Sequence, residues 1–299
     1  ATMRFVDIAG LVRGASRGEG LGNKFLANIR EVDATVEVVR CFEDPSVSHV
    51  DGDVDPARDI ETIRTELLLA DLETAQRNYE KKRRDRDRGD KSAGPAAAAL
   101  EKAVATLDAA TPIRSAGLSD PELEELREYS FLTAKDRLIV ANISESDVGE
   151  GEARWIERLS AATGEPSWKI VPISAQLESD LVALPEDERG EFLTGMGLEE
   201  RGLDRLMRAG YRLLGLVTFY TIKGTETRAW SVGAGTPIVE AAGKIHTDME
   251  RGFIRAEVAS YDDLVEAGSM QAARESGHLR TEGRDYPVTD GDVVLVHFR

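Results

Sequence analysis

Four short apolar runs set the architecture of this chain: Met3 to Val6, Val36 to Phe42, Arg137 to Ala141 and Ile170 to Ile173. Between the first two, Leu21, Phe25 and Ile29 recur at helical spacing, and Ile156, Leu159 and Ala162 do the same between the last two. Strands that alternate with helices cannot pair through tight hairpins, because each helix must carry the chain back over the sheet to start the next strand in the same direction. The pattern predicts an α/β domain built on a parallel sheet with helices on both faces. Between Phe42 and Arg137 the alternation stops for far longer than an ordinary crossover, which marks an insertion.

The insertion has a helical period of its own. Ile60, Ile63, Leu67, Leu68, Leu72, Ala75 and Tyr79 recur every three or four positions, the charged run KKRRDRDRGDK intervenes, and Leu100, Val104 and Leu107 resume the period. Two antiparallel helices joined by a charged tip containing Gly89, Gly94 and Pro95 are predicted. The stretch SDPE from Ser119 offers a capping box for a third helix ahead of Leu123 and Leu126. After a helical stretch near Leu203 to Leu214, strand formers dominate at Val217 to Ile222, Ala229 to Val232, Phe253 to Val258 and Val293 to Phe298. With TDGD at 289–292 as a turn and Ile238 to Ala242 as one short helix, this is a small α+β module. The expected division is 1–56 with 134–213 as the sheet domain, 57–133 as a helical arm and 214–299 as the α+β module.

At 299 residues, 41% hydrophobic and 31% charged, the chain can bury at least two ordinary cores. No apolar stretch reaches the roughly 18 residues that cross a bilayer, so a soluble, cytoplasmic protein without a membrane partner is expected. Cys41 is the only cysteine, which excludes an intramolecular disulfide and a cysteine-based zinc site. The net charge of −17 argues against a general nucleic-acid coat, and no DNA specificity is expected. The arm tip is the exception: KKRRDRDRGDK carries seven basic and three acidic residues. Such a run is either a solvated helix end or a patch for RNA phosphates. The sequence opens on Ala1 and runs directly into an apolar strand, so it is expected to begin inside the sheet domain.

The stretch DIAGLVRGASRGEGLGNKFL invites a phosphate-loop reading and fails it. In GEGLGNKF, Asn23 separates Gly22 from Lys24, and Phe25 stands where a serine or threonine would hold magnesium. What fits is D-x-x-G at a strand end, Asp7 to Gly10, the arrangement by which nucleotide hydrolases reach magnesium and sense the γ-phosphate. Two later strands also run into polar motifs, Asn142-Ile143-Ser144-Glu145 and Ser174-Ala175. Each alone is equally an ordinary exit from a strand, but in a parallel sheet all three share the carboxyl edge, where ligands bind. Guanine-reading proteins place N-K-x-D at such a point; here Ile143 replaces the lysine and Glu145 the aspartate. A longer carboxylate cannot occupy the position that accepts from guanine N1–H, which favours ATP over GTP. His246, Asp248 and Glu250 superficially suggest a metal cluster, but on a short helix-to-strand connection structural hydrogen bonding is the expected role.

The strings DIAGLVRGASRGEGLGNKFLANIREVDA, VVRCFED, SHVDGDVDPARDIETIRTELLLADLE and AAGKIHTDMERGFIRAE together resemble the YchF or Obg-like ATPase family, from the first residue to the last. The resemblance implies a P-loop NTPase domain (a G domain), an inserted coiled-coil arm and a C-terminal TGS domain of β-grasp type. It also implies hydrolysis of ATP with Mg2+ and association with the ribosome, the large subunit and its rRNA in particular. Family members begin with a strand and P-loop that this sequence does not contain, so the 299 residues alone are expected to be nearly inactive. On this resemblance Asp7 coordinates magnesium through water and Gly10 senses the γ-phosphate. Asn142, the Ile143 backbone and Glu145 surround adenine, with Ser174 and Ala175 closing the pocket. Leu11 stands where many GTPases carry a water-orienting glutamine, and the family's loop histidine matches His49, a side chain suited to hold an attacking water. Lys81, Lys82, Arg83 and Arg84 become rRNA contacts. The alternative is a non-enzymatic adaptor that binds the ribosome through the arm and the TGS module.

Overall fold

The computed structural model describes residues 3–8, 21–47, 49, 52–223 and 226–299, the side chains of 21–24 and 223 excepted. They form two compact units, Val6–Ala209 and Gly210–Arg299 with residues 3–5.

The first unit holds a parallel sheet in the order β1 (Ala34–Arg40), β2 (Asp136–Asn142), β3 (Ile170–Ile173). Its register sets Arg40 beside Asn142 and Asn142 beside Ile173, so all three strands end level at one edge. Among the described residues, eight helices surround or extend it: α1 (Leu21–Glu31), α2 (Pro56–Asp87), α3 (Ala93–Asp108), α4 (Asp120–Leu126), α5 (Glu152–Thr163), α6 (Ala175–Ala183), α7 (Glu186–Gly195) and α8 (Gly202–Leu213), within which the division between units falls. One sheet face, with Val39, Cys41, Ile139 and Ala141, packs on Trp155 and Leu159 of α5 and Ile60 of α2. α5 stops at Gly164, whose φ of 72° closes the last turn through an N–H to Ser160 O, a conformation that favours glycine.

Two expectations fail here. Met3 to Val6 is not a strand: extended backbone becomes one only when a neighbour takes its hydrogen bonds, and among the described residues none does. Phe5 and Val6 accordingly lie about half exposed. The sheet is also not covered on both faces along its full width, since Val38 on the far face of β1 is 64% exposed.

α2 begins where Asp55 accepts from the N–H groups of Ala57 and Arg58, with Pro56 in the first turn, where its missing N–H costs nothing. α2 and α3 pack through Ala75, Ala99, Leu100, Ala103 and Leu107, a small-residue seam that lets the two backbones approach closely. Gly89, with φ 100°, lies in the tip, but Gly94 and Pro95 belong to the first turn of α3, a correction to the predicted tip. Proline is tolerated there because first-turn N–H groups have no helical partner. The capping box forms: the Ser119 N–H and hydroxyl both donate to Glu122 Oε2 at 2.9 Å.

The second unit is a mixed sheet in the order β5 (Glu226–Gly233), β4 (Leu216–Lys223), β8 (Asp292–Phe298), β6 (Phe253–Ser260), β7 (Arg280–Glu282). β4 runs parallel to β8 and every other pairing is antiparallel. α9 (Ile238–Ile245) lays Ile238, Ala241 and Ala242 on Phe219, Val232, Ala256, Val258 and Val294; α10 (Thr247–Arg251), α11 (Tyr261–Ala267) and α12 (Met270–Glu275) complete the unit. TDGD turns as expected, with Gly291 at φ 85° and Asp290 accepting from the Thr218 N–H at 2.7 Å. His246 caps α10, its Nδ1 accepting from the Asp248 N–H.

Candidate functional site

The level carboxyl edge of the parallel sheet gathers the polar groups that the strands deliver. Past the last paired residues the ladder continues, with the Cys41 N–H on Asn142 O at 2.8 Å and the Ile143 N–H on Ile173 O at 2.9 Å. Asn142 then crosses to the neighbouring strand end, its Oδ1 accepting from the Ala175 N–H at 3.1 Å. Only the amide oxygen can meet an N–H, so this bond fixes which way the Asn142 amide points. Ser174, 4% exposed, caps α6 by accepting from the Leu177 N–H. Asn142, Ser174 and Ala175 are thus one connected group.

The other expected residues are placed differently. Ile143 has its side chain 2% exposed in the core and its N–H spent on β3, so only its carbonyl remains to face a ligand. Glu145 opens a 3-10 turn, Glu145–Asp147, and is exposed beside the edge. That turn is anchored by Asp147, which accepts from Trp155 Nε1 and from Arg154 at 2.9 Å each. Asp7 lies exposed, outside the sheet. Gly10 falls outside the described residues. His49 is engaged by α2, with Nε2 at 3.0 Å from Asp59 Oδ2.

Lys81, Lys82, Arg83 and Arg84 sit near the end of α2 and keep local partners. Lys82 pairs with Glu128 at 3.3 Å, Arg83 with Glu80 at 2.9 Å and over the Tyr79 ring, and Arg84 donates to Glu80 O. Lys81 is exposed. Exposed pairs of this kind exchange readily for a stronger anion.

Sequence reasoning missed Asp59, because nothing in DPARDI ties it to a histidine ten positions earlier. It also missed the buried ions Glu37 and Arg137. Their signal was present: each is a charge set in a strand otherwise dominated by apolar residues.

The fold is an open-sheet α/β architecture, a class in which ligands bind outside the carboxyl ends of parallel strands. A family model described as YchF-GTPase_C, protein of unknown function (DUF933), matches residues 216–299. The ribosome-binding ATPase YchF of Haemophilus influenzae is 47% identical over 298 residues, covering 100% of this chain and 81% of the relative. Its Bacillus subtilis counterpart is 43% identical over 297 residues, covering 99% and 80%. The solved structure of the Schizosaccharomyces pombe YchF GTPase matches with a TM-score of 0.84 at 33% identity, over 97% of this chain and 78% of that one. A GTP binding protein from Pyrococcus horikoshii OT3, at 19% identity and a TM-score of 0.56 over 92% of this chain and 81% of that one, shares the fold alone. The chain belongs to the YchF family.

Proposed function

We propose that the full-length protein carrying this chain is a ribosome-associated nucleotide hydrolase that binds ATP in preference to GTP and regulates translation in the cytoplasm. The relatives are named ribosome-binding ATPases, and the solved relative is named a GTPase. The single observation that carries the reading is the tie between Asn142 and Ala175 at the level edge of the sheet, with Ser174 and Glu145 beside it. This donor and acceptor set fits a purine base: Asn142 keeps its NH2 for a ring acceptor, and the Ile143 carbonyl accepts from an exocyclic amine. Adenine offers both complements, whereas guanine N1–H needs a carboxylate that Glu145, one carbon longer than aspartate, does not place.

Asp7 would hold Mg2+ through water and Gly10 would face the γ-phosphate, with His49 positioning the attacking water. In this reading 1–56 with 134–213 form the G domain, 57–133 the coiled-coil arm and 214–299 a TGS domain. Lys81, Lys82, Arg83 and Arg84 would contact rRNA of the large subunit.

Titrating the full-length protein with Mg-ATP and Mg-GTP by calorimetry tests the nucleotide assignment. Tighter binding of ATP is expected; binding of neither nucleotide up to millimolar concentration leaves the adaptor reading in its place. For the arm, R83E/R84E should weaken cosedimentation with ribosomes and flatten the slope of log affinity against log salt by about 2, one for each lost phosphate contact. An unchanged slope would remove the tip from the interface.

A further inference from the structure

His49 is held by α2, and the chain ahead of it is braced from the sheet. From α2, Asp59 Oδ2 holds Nε2 at 3.0 Å, and both side chains are mostly buried, at 15% and 19% exposure. Asp59 stands in the first turn of a helix whose start is fixed by Pro56 and the Asp55 cap, so its carboxylate has little room to drift. From the sheet side, Arg40 at the end of β1 donates to the carbonyls of Phe42, Asp44 and Val47. That clamp fixes the chain from Phe42 to Val47, two residues ahead of His49.

We propose that Asp59 is the positioning residue for His49, orienting its ring and fixing its proton on Nε2 during nucleotide hydrolysis. The inference rests on the assignment of His49 made above. A carboxylate only accepts, so the bond at Nε2 requires the proton there and makes Nδ1 the nitrogen that bears the ring's lone pair. The same bond holds the ring in one orientation, as the third member of a catalytic triad does for its histidine. Among the described residues, Asp59 meets the ring, Arg58 lies 3.7 Å from Asp59 Oδ1, and Asp53 pairs with Arg58 at 2.9 Å.

The test combines ATP hydrolysis by full-length D59A, D59N and H49A with nitrogen-15 NMR of the imidazole rings. The chain has four histidines, so H49A assigns the His49 signals. In the wild type the spectrum should show the proton on Nε2, and in D59A a mixture of tautomers. D59A should lose about 10- to 100-fold in kcat, the range for removing a partner that orients a functional imidazole, while KM for ATP holds within about 2-fold. D59N, whose amide oxygen can still accept from Nε2, should keep more activity than D59A and keep the proton on Nε2. An unchanged kcat and spectrum in D59A, beside an impaired H49A, overturns the role of Asp59 alone. A lower melting temperature with raised KM and an unchanged tautomer in D59A overturns it too, as a purely structural contact. Wild-type hydrolysis by H49A overturns the histidine assignment itself, and the role of Asp59 with it.

Discussion

Replacing Arg137 by methionine should lower the stability of the sheet unit by about 3–5 kcal/mol at neutral pH, the cost of stripping one partner from a buried ionic cluster. Arg137, on β2, has its side chain 5% exposed and joins two carboxylates from other elements. Both Nη1 contacts go to Glu37 of β1, at 3.2 and 3.1 Å, and Nε goes to Glu165, ahead of β3, at 2.9 Å. Glu165 keeps Arg114 at 3.2 Å and Lys169 at 3.6 Å when Arg137 is gone. Glu37 loses both of its hydrogen bonds, so most of the cost falls there. A methionine fills much of the volume, which separates lost charge from lost packing.

The sign of the pH dependence follows from the two carboxylates. Burial pulls Glu165 up, but Arg137, Arg114 and Lys169 together hold it below its ordinary value of 4.5. Its contribution is therefore present above that value and lost as pH falls through its depressed folded value. Glu37 is pushed the other way, burial outweighing Arg137, so its contribution is present at low pH and lost as pH rises through its folded value. In R137M both carboxyls lack their main cation and take up protons more readily in the folded state, which stabilises the variant as pH falls. The gap between wild type and variant should be widest near neutrality and narrow below about 4.5. Urea midpoints at several pH values check this, and a gap that widens in acid would refute the ionic account.

The parallel sheet was legible because buried parallel strands read as continuous apolar runs; Ile170 to Ile173 is a strand with the bounds its run suggested. α6, α7 and α10 to α12 were not, since they are 5 to 10 residues long and too short for a period to show. β7 is three polar residues that only the neighbouring ladder makes a strand. At the edge, Asn142 and Ser174 could be placed from the ends of apolar runs. The bond from Ala175 to Asn142 and the loss of the Ile143 N–H to β3 could not, because both follow from strand register, a long-range property. Likewise, the partner that takes His49 sits on α2 by virtue of a loop conformation with no local signature.

Asp71→Ala should cost about 3–5 kcal/mol, because it leaves two backbone donors and a hydroxyl without their acceptor in the interior. Asp71, 1% exposed on α2, accepts from the Leu132 N–H through Oδ1 at 2.9 Å. Oδ2 accepts from both the Thr133 N–H and its hydroxyl at 2.7 Å. Thr133 Oγ1 in turn accepts from the Ile113 N–H, so one carboxylate organises the 3-10 turn Leu132–Ala134 that feeds β2 and the turn Ile113–Ser115 below it. Burial lifts the carboxyl above the ordinary range despite these bonds, so its charge is a burden there, and what the site requires is a side chain with two acceptor oxygens. That distinction predicts the behaviour of the isosteric amide. The D71N side chain would present one oxygen and one NH2, and whichever way the amide turned, the NH2 would meet an N–H donor. D71N should therefore lose nearly as much stability as D71A in urea titrations, even though it removes a buried charge. A D71N protein as stable as wild type would show that the charge, and not the pair of acceptors, is what the site responds to.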